Sequence, residues 1–389
     1  MKKLCVILLA VLFATMPILA FAYEYEDEYE EEYIRPLYYA GATAVMCAQT
    51  GELIYAYRPH QRFYPASLVK VMTALLVLEH VENLNQVITL SETAADLPWY
   101  AAHMGLTAGD TFTVLQGLYG NLLPSANEVA NALAEHVAGS IPAFVQMMNA
   151  RAVELGAYNT RFVNACGLPG DGQFITAYDM SLIMREAVRH DVFVQIINAP
   201  YFHFPPIYAF PEGRTIRNTN QLIRPETDFF HPDIIGGKTG WIIVAQNTLS
   251  TYSRRRDSGL IVTVLYTERR DDTFLDTVAL MDLGFNWMFY GPPEVKPSSE
   301  APAVDFPVIP LPPPDDPLHT PDNPYDTADS PSEDDTDTVG AFPDWCEAQR
   351  SNALFPNSPA YTLHLILAVA FSLFVGIVCA IALFPRRKK

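Results

Sequence analysis

The stretch from Gly291 to Pro359 decides how much of this chain can fold. It is rich in Pro, Asp and Ser, densest at Leu311-Pro312-Pro313-Pro314-Asp315-Asp316 and Ser332-Glu333-Asp334-Asp335-Thr336-Asp337. A segment of this composition cannot bury enough apolar surface to offset the entropy lost on ordering it. Residues 291–359 therefore read as an extended, solvated stalk. Residues 37–290 are left as the folding unit, enough for one sizeable domain. The segment 23–36, with an acidic run from Glu24 to Glu32 interleaved with tyrosines, is expected to stay outside that core.

The ends carry targeting signals. Lys2 and Lys3, the apolar run Cys5 to Ala14, and Ala20-Phe21-Ala22 have the layout of a secretory signal peptide over residues 1–22. Residues 363–384 are apolar apart from His364 and are long enough to span a bilayer as a helix. The basic tail 385–389, Pro-Arg-Arg-Lys-Lys, follows at once, and such tails stay on the cytoplasmic side. The expected arrangement is a single-pass protein of the cell membrane, with its folded domain outside and its C-terminus in the cytoplasm. A net charge of −19 argues against nucleic acid as a partner. The five cysteines stand at irregular positions and suggest no disulfide framework. Cys and His show no metal-ligand spacing, so neither metal nor cofactor is expected.

Within 37–290, Thr43 to Cys47 and Leu53 to Tyr57 read as strands about a turn at Gln49-Thr50-Gly51. Apolar spacing predicts helices from Ser67 onward and over 114–122, 128–138, 141–155 and 177–189. Strands return at 241–244, 248–252 and 259–266, with a polar connection over 253–258, and a last helix runs over 273–288. Hairpin, helices, hairpin, helix implies an α+β class in which helices cover an antiparallel sheet.

Ser67 and Lys70 open the first of those helices, one turn apart on one face. A lysine amine there can take the proton of a serine hydroxyl and make it a nucleophile for acyl transfer. Taken alone such a pair is far more often an N-cap serine followed by a solvated lysine. Ser125-Ala126-Asn127 lies in a break between helices after Pro124, where Ser125 is also a candidate cap. Lys238-Thr239-Gly240 follows Gly236-Gly237 at the start of a late strand, a position open to a plain edge turn. The ordered set S-x-x-K, S-x-N and K-T-G in an exported chain is far more specific than any member by itself.

With these residues in place the chain resembles the low-molecular-weight penicillin-binding proteins, the serine-type D-alanyl-D-alanine carboxypeptidases. Tyr64 to Ala74 is similar to their nucleophile segment. Leu155-Gly156, Asn164 to Pro169 and Thr176 to Met180 are similar to their middle block. The resemblance implies the penicillin-binding and serine β-lactamase-like transpeptidase fold with a helical subdomain. It implies a substrate, the peptidoglycan stem peptide, and acylation by β-lactam antibiotics. Ser67 would be the acyl-ester nucleophile, Lys70 the proton acceptor and Ser125 a proton relay. Asn127 would hold Lys70 and the substrate amide, and Lys238 and Thr239 would bind the terminal carboxylate. Gly237 and Gly240 would let substrate backbone approach the strand, and the N–H groups of Ser67 and Trp241 would form the oxyanion hole.

Four positions depart from the family pattern. Ala126-Glu128 frames Asn127 where Gly and Asp are usual, Ile242 stands at a usual Thr, and Gln246 replaces a usual Gly. Two other readings stay open on this account. One is a catalytically weakened muropeptide-binding or scaffold homologue. The other is a β-lactamase, against which stands the missing Glu-containing deacylation segment between Asn127 and Lys238.

Overall fold

Five antiparallel strands hold the molecule together, in the spatial order β2 (Leu53–Tyr57), β1 (Ala42–Cys47), β9 (Ser258–Thr267), β8 (Gln246–Arg255) and β7 (Ile234–Ile242). The computed structural model describes residues 39–291, and the expectations placed on 1–22, 23–36, 363–384 and 385–389, with all but the first residue of 291–359, lie outside the described residues. In chain order the elements are β1 (Ala42–Cys47), β2 (Leu53–Tyr57), α1 (Val69–His80), β3 (Val87–Thr89), α2 (Glu92–Ala95), β4 (Thr111–Thr113), α3 (Val114–Leu122), α4 (Asn127–Ala138), α5 (Ile141–Glu154), α6 (Ala177–Ala187), α7 (Asp191–Ile197), β5 (Tyr201–Phe204), β6 (Arg214–Arg217), β7 (Ile234–Ile242), β8 (Gln246–Arg255), β9 (Ser258–Thr267) and α8 (Arg270–Tyr290). Short 3-10 turns lie at Ala66–Leu68 and Gln221–Ile223.

The sheet has two buried faces because its central strand alternates between two apolar sets. Leu260, Val262 and Val264 of β9 join Val45, Leu249 and, from α8, Phe274, Leu280, Met281, Leu283 and Phe285 in one core. Ile261 and Leu265 join Ala42, Ala44 and Met46 in the larger core that α6 and the other helices share. Thr263, on that second face, is satisfied by hydroxyls at 2.8 Å from Ser181 and 2.9 Å from Ser250. The class is thus α+β with a helix-covered antiparallel sheet, as the element order implies.

Some expected boundaries move. β7 begins at Ile234 and ends at Ile242, so Lys238 lies mid-strand and Ile243 and Val244 are exposed in the following turn. Pairing of Gly236, Gly237 and Lys238 with Tyr252, Thr251 and Ser250 supplies the strand order that their composition does not suggest. β8 and β9 pair as far as Arg255 and Ser258, which leaves Arg256 and Asp257 as a two-residue turn. Two short ribbons, β3–β4 and β5–β6, carry no clear alternation in sequence.

α1 is buried without interruption from Val69 to Val77. A helix enclosed on all sides must find internal partners for any polar residue it carries, here Lys70 and Thr73. On the opposite face of the sheet, α8 comes so close that a Cβ on Gly284 would lie 2.7 Å from Val45 Cγ1 and 2.8 Å from Leu260 Cδ1. Gly284→Ala is expected to lower the free energy of unfolding by about 1–2 kcal/mol, overpacking outweighing the helix propensity that alanine gains. Chemical denaturation of the two proteins would show a lower midpoint at unchanged slope.

Candidate active site

Ser67 sits in the 3-10 turn that leads into α1, and its hydroxyl caps nothing. The turn is held between two glycines. A Cβ at Gly167, whose φ is 88°, would lie 1.9 Å from the Ala66 carbonyl oxygen. A Cβ at Gly240 would lie 3.0 Å from both Ala66 Cβ and the Ser67 nitrogen, and 2.4 Å from Thr248 Oγ1. Gly240 therefore admits the Ser67 turn against β7. Gly236 and Gly237 similarly admit the Ile197 carbonyl and the Ser250 carbonyl. These contacts within the protein by themselves require glycine at each position. Ala66 itself has φ 49°, a strained value for a residue with a Cβ.

Lys70 is fully buried, and its Nζ has three oxygen neighbours. These are Ser67 Oγ at 3.2 Å, Asn127 Oδ1 at 2.6 Å and the Cys166 carbonyl oxygen at 2.5 Å. Burial holds its pKa down to about 8, against a smaller upward pull from the Cys166 thiol and Glu128. Lys238 is equally buried and donates to the Thr239 carbonyl at 2.8 Å. Burial, and then the charge of Lys70, hold it well below the usual lysine range.

Asn127 reaches Lys70 because it is the first residue of α4 and its N–H is fixed to the Ala102 carbonyl at 2.9 Å. Ser125 does not cap that helix. It takes a left-handed backbone, φ 68°, and its buried Oγ has no hydrogen-bond partner among the described residues. Glu128 is buried and accepts from the Met104 N–H at 2.6 Å, tying the loop that bears Ala102 to α4.

On β7, Thr239 is half-buried, and Trp241 is exposed beside it. Ile242 ends the strand opposite Gln246. Gln246 holds the left-handed conformation, φ 51°, that glycine adopts freely, and its amide donates to the Ile243 carbonyl at 2.7 Å. The departure from glycine is thus accommodated locally by the turn.

The structure brings Ser67, Lys70 and Asn127 into direct contact, sets Lys238 within electrostatic reach of Lys70, and packs Gly240 on the nucleophile turn. Ser125 lies beside Asn127 in sequence but bonds to none of them. Other participants escape motif reading. Asn164 shapes the loop that presents the Cys166 carbonyl, its Oδ1 accepting from Gly167 N–H at 2.7 Å and Cys166 N–H at 3.2 Å. Thr73 fastens the same loop through the Ala165 carbonyl at 2.6 Å. Thr219 meets Thr239, hydroxyl to hydroxyl, at 2.6 Å, and Arg270 donates to the Thr219 carbonyl at 2.9 Å. A carbonyl partner leaves no side-chain signature. The Asn164–Gly167 turn was visible only as part of a resembling block.

A serine beside a buried, pKa-lowered lysine, with a second buried lysine on the edge strand, is an arrangement suited to acyl transfer on a penicillin-binding DD-peptidase fold. Comparison with known proteins agrees. Residues 31–268 match the family described as D-alanyl-D-alanine carboxypeptidase, and the chain belongs to that family. It is 28% identical to D-alanyl-D-alanine carboxypeptidase DacF of Bacillus subtilis over 61% of this chain and 60% of that protein. It is 32% identical to D-alanyl-D-alanine carboxypeptidase DacB2 of Mycobacterium tuberculosis over 60% of this chain and 77% of that one. Among solved structures it is similar to a D-alanyl-D-alanine carboxypeptidase from Mycobacterium tuberculosis, with a TM-score of 0.57 and 30% identity over 64% of this chain and 90% of that one. A Streptomyces DD-transpeptidase gives a TM-score of 0.59 at 27% identity over 64% of this chain and 97% of that one.

Gly167→Ala must push the Ala66 carbonyl aside and with it Ser67. A displacement of about 1 Å at the reacting atom costs on the order of a hundredfold in rate. The expected outcome is a fall of that size in covalent labelling by a fluorescent penicillin, with the unfolding transition still cooperative.

Proposed function

We propose that the protein is a membrane-tethered D-alanyl-D-alanine carboxypeptidase that removes the terminal D-alanine from peptidoglycan stem pentapeptides through an acyl ester on Ser67, and that penicillins acylate the same serine. The observation that carries this reading is the environment of Lys70. A neutral lysine amine has two N–H donors and one lone pair. Asn127 Oδ1 and the Cys166 carbonyl are pure acceptors and take the two donors. The lone pair is left for the third neighbour, Ser67, whose hydroxyl has a proton to give. Burial favours the neutral form, so Lys70 is set to act as a base.

The proposed steps are these. Ser67 Oγ attacks the carbonyl between the two D-alanines and its proton passes to Lys70. The N–H groups of Ser67 and Trp241 receive the developing oxyanion, a role supported by the packing of β7 against the Ser67 turn at Gly240. Ser125, with an unspent hydroxyl, relays a proton to the departing amine as the carbon–nitrogen bond breaks. Water then cleaves the ester. Asn127 orients the substrate amide, and Lys238 with the Thr239 hydroxyl holds the terminal carboxylate. The apolar segment 363–384 tethers the domain outside the cell membrane through the 291–359 stalk, with the basic tail inside. Among the described residues no helix is long and apolar enough to cross a membrane.

Ser67→Ala is expected to abolish both penicillin labelling and D-alanine release from a stem-pentapeptide analogue. Full D-alanine release by that variant would sink the assignment. Because Lys70 must be neutral, acylation should rise with pH through an apparent pKa of about 8 and level off above it. A rate that falls across that range would assign the base elsewhere. A weakened, binding-only homologue is favoured by one feature, Ile242, which offers no hydroxyl after Lys238-Thr239-Gly240. Labelling without D-alanine release would point to it.

A further inference from the structure

The segment Asn218-Thr219-Asn220 belongs to none of the motifs above, yet it places a residue against Thr239. Its side chains alternate. Asn218 and Asn220 are buried, while Thr219 between them is half-exposed. Asn218 donates to the Ile197 carbonyl at 3.3 Å and the Ala199 carbonyl at 3.2 Å, and its Oδ1 accepts from Asn220 N–H at 2.9 Å. Asn220 Oδ1 accepts from Leu222 N–H at 3.1 Å. The two asparagines thus fix the backbone and leave Thr219 pointing the other way. Its N–H donates to the Leu123 carbonyl, two residues before Ser125, at 3.1 Å. Its carbonyl accepts from Arg270 at the start of α8, and its hydroxyl lies 2.6 Å from that of Thr239.

We infer that Thr219 is a positioning residue which orients the Thr239 hydroxyl and so sets the preference of the site for substrates ending in a free carboxylate. The inference rests on the reading of Thr239 as a carboxylate ligand. A hydroxyl has one proton and two acceptor positions, and a carboxylate only accepts. If Thr239 spends its proton on Thr219 it has none for the substrate. It serves the substrate only when Thr219 donates to it, and that donation also strengthens the proton Thr239 presents. Thr219 is held on three sides for this purpose, by the Ser125 loop, by α8 and by the buried asparagines. It acts through Thr239, with no substrate contact of its own required.

The test is binding in a Ser67→Ala background, where no turnover occurs. The full chain is titrated calorimetrically with a diacylated peptide ending in D-alanyl-D-alanine, as free acid and as C-terminal amide. Thr219→Val, nearly isosteric, should weaken the free acid about tenfold, the worth of one hydrogen bond to a charged group, and leave the amide unchanged. Thr219→Ser should restore the free acid to within about threefold. In a Thr239→Val background Thr219→Val should have no further effect, as expected for a residue acting through its neighbour. Equal losses on acid and amide, no loss with valine, no rescue by serine, or additive losses with Thr239→Val would each overturn the inference. Penicillin labelling of the wild-type protein, run in parallel, judges the acyl-transfer reading separately.

Discussion

An amine buried in a helix with no polar face is the constraint around which the rest is arranged. A charged ammonium in the middle of α1 would be costly, and the molecule meets that cost in two ways. It supplies three oxygens at hydrogen-bond distance, and it lets the amine release its proton more readily than an exposed lysine does. The first requirement brings the N-terminus of α4 and the 164–168 loop to α1. The second needs the burial that encloses α1 on all sides. The same burial that must be satisfied also favours the neutral amine that the proposed reaction needs.

The serine is placed by backbone packing. Its turn is closed in by Gly167 on one side and Gly240 on the other, with the Asn164 and Thr73 hydrogen bonds fastening the first of these. Ala66 and Ser125 both take left-handed conformations that side chains disfavour. Such strain persists only where surrounding contacts over-determine it, and both residues flank groups that carry the proposed reaction. Rigid placement of this kind removes the need for reorganisation when a substrate arrives.

Much of this was legible in the sequence, and the remainder was hidden for identifiable reasons. Ser67, Lys70, Ser125, Asn127 and Lys238-Thr239-Gly240 stand out because side-chain identity carries their chemistry. The long helices and β9 stand out because burial imposes a period on them. β7 began earlier than expected because Gly236 and Gly237 give no apolar alternation and are strand only by virtue of pairing with β8. The Cys166 carbonyl was invisible because any residue has one. Thr219 was invisible because its partner lies twenty residues away and only the fold of the intervening chain brings them together. The glycines were visible, but what they admit was not. Only the folded chain shows that Gly240 faces the Ser67 turn.

Lys70 is 57 residues from Asn127 and 96 from Cys166 along the chain. In an unfolded or stretched polypeptide none of these partners is present, and the lysine reverts to an ordinary solvated ammonium with no lone pair to offer. The serine is then as inert as any other. The environment of Lys70 is therefore a property of the finished tertiary structure, and under the proposed function a covalent mark on Ser67 would report that folding is complete at that site. A mutation far from Ser67 that leaves the 164–168 loop or the start of α4 slack would register first as a loss of that mark.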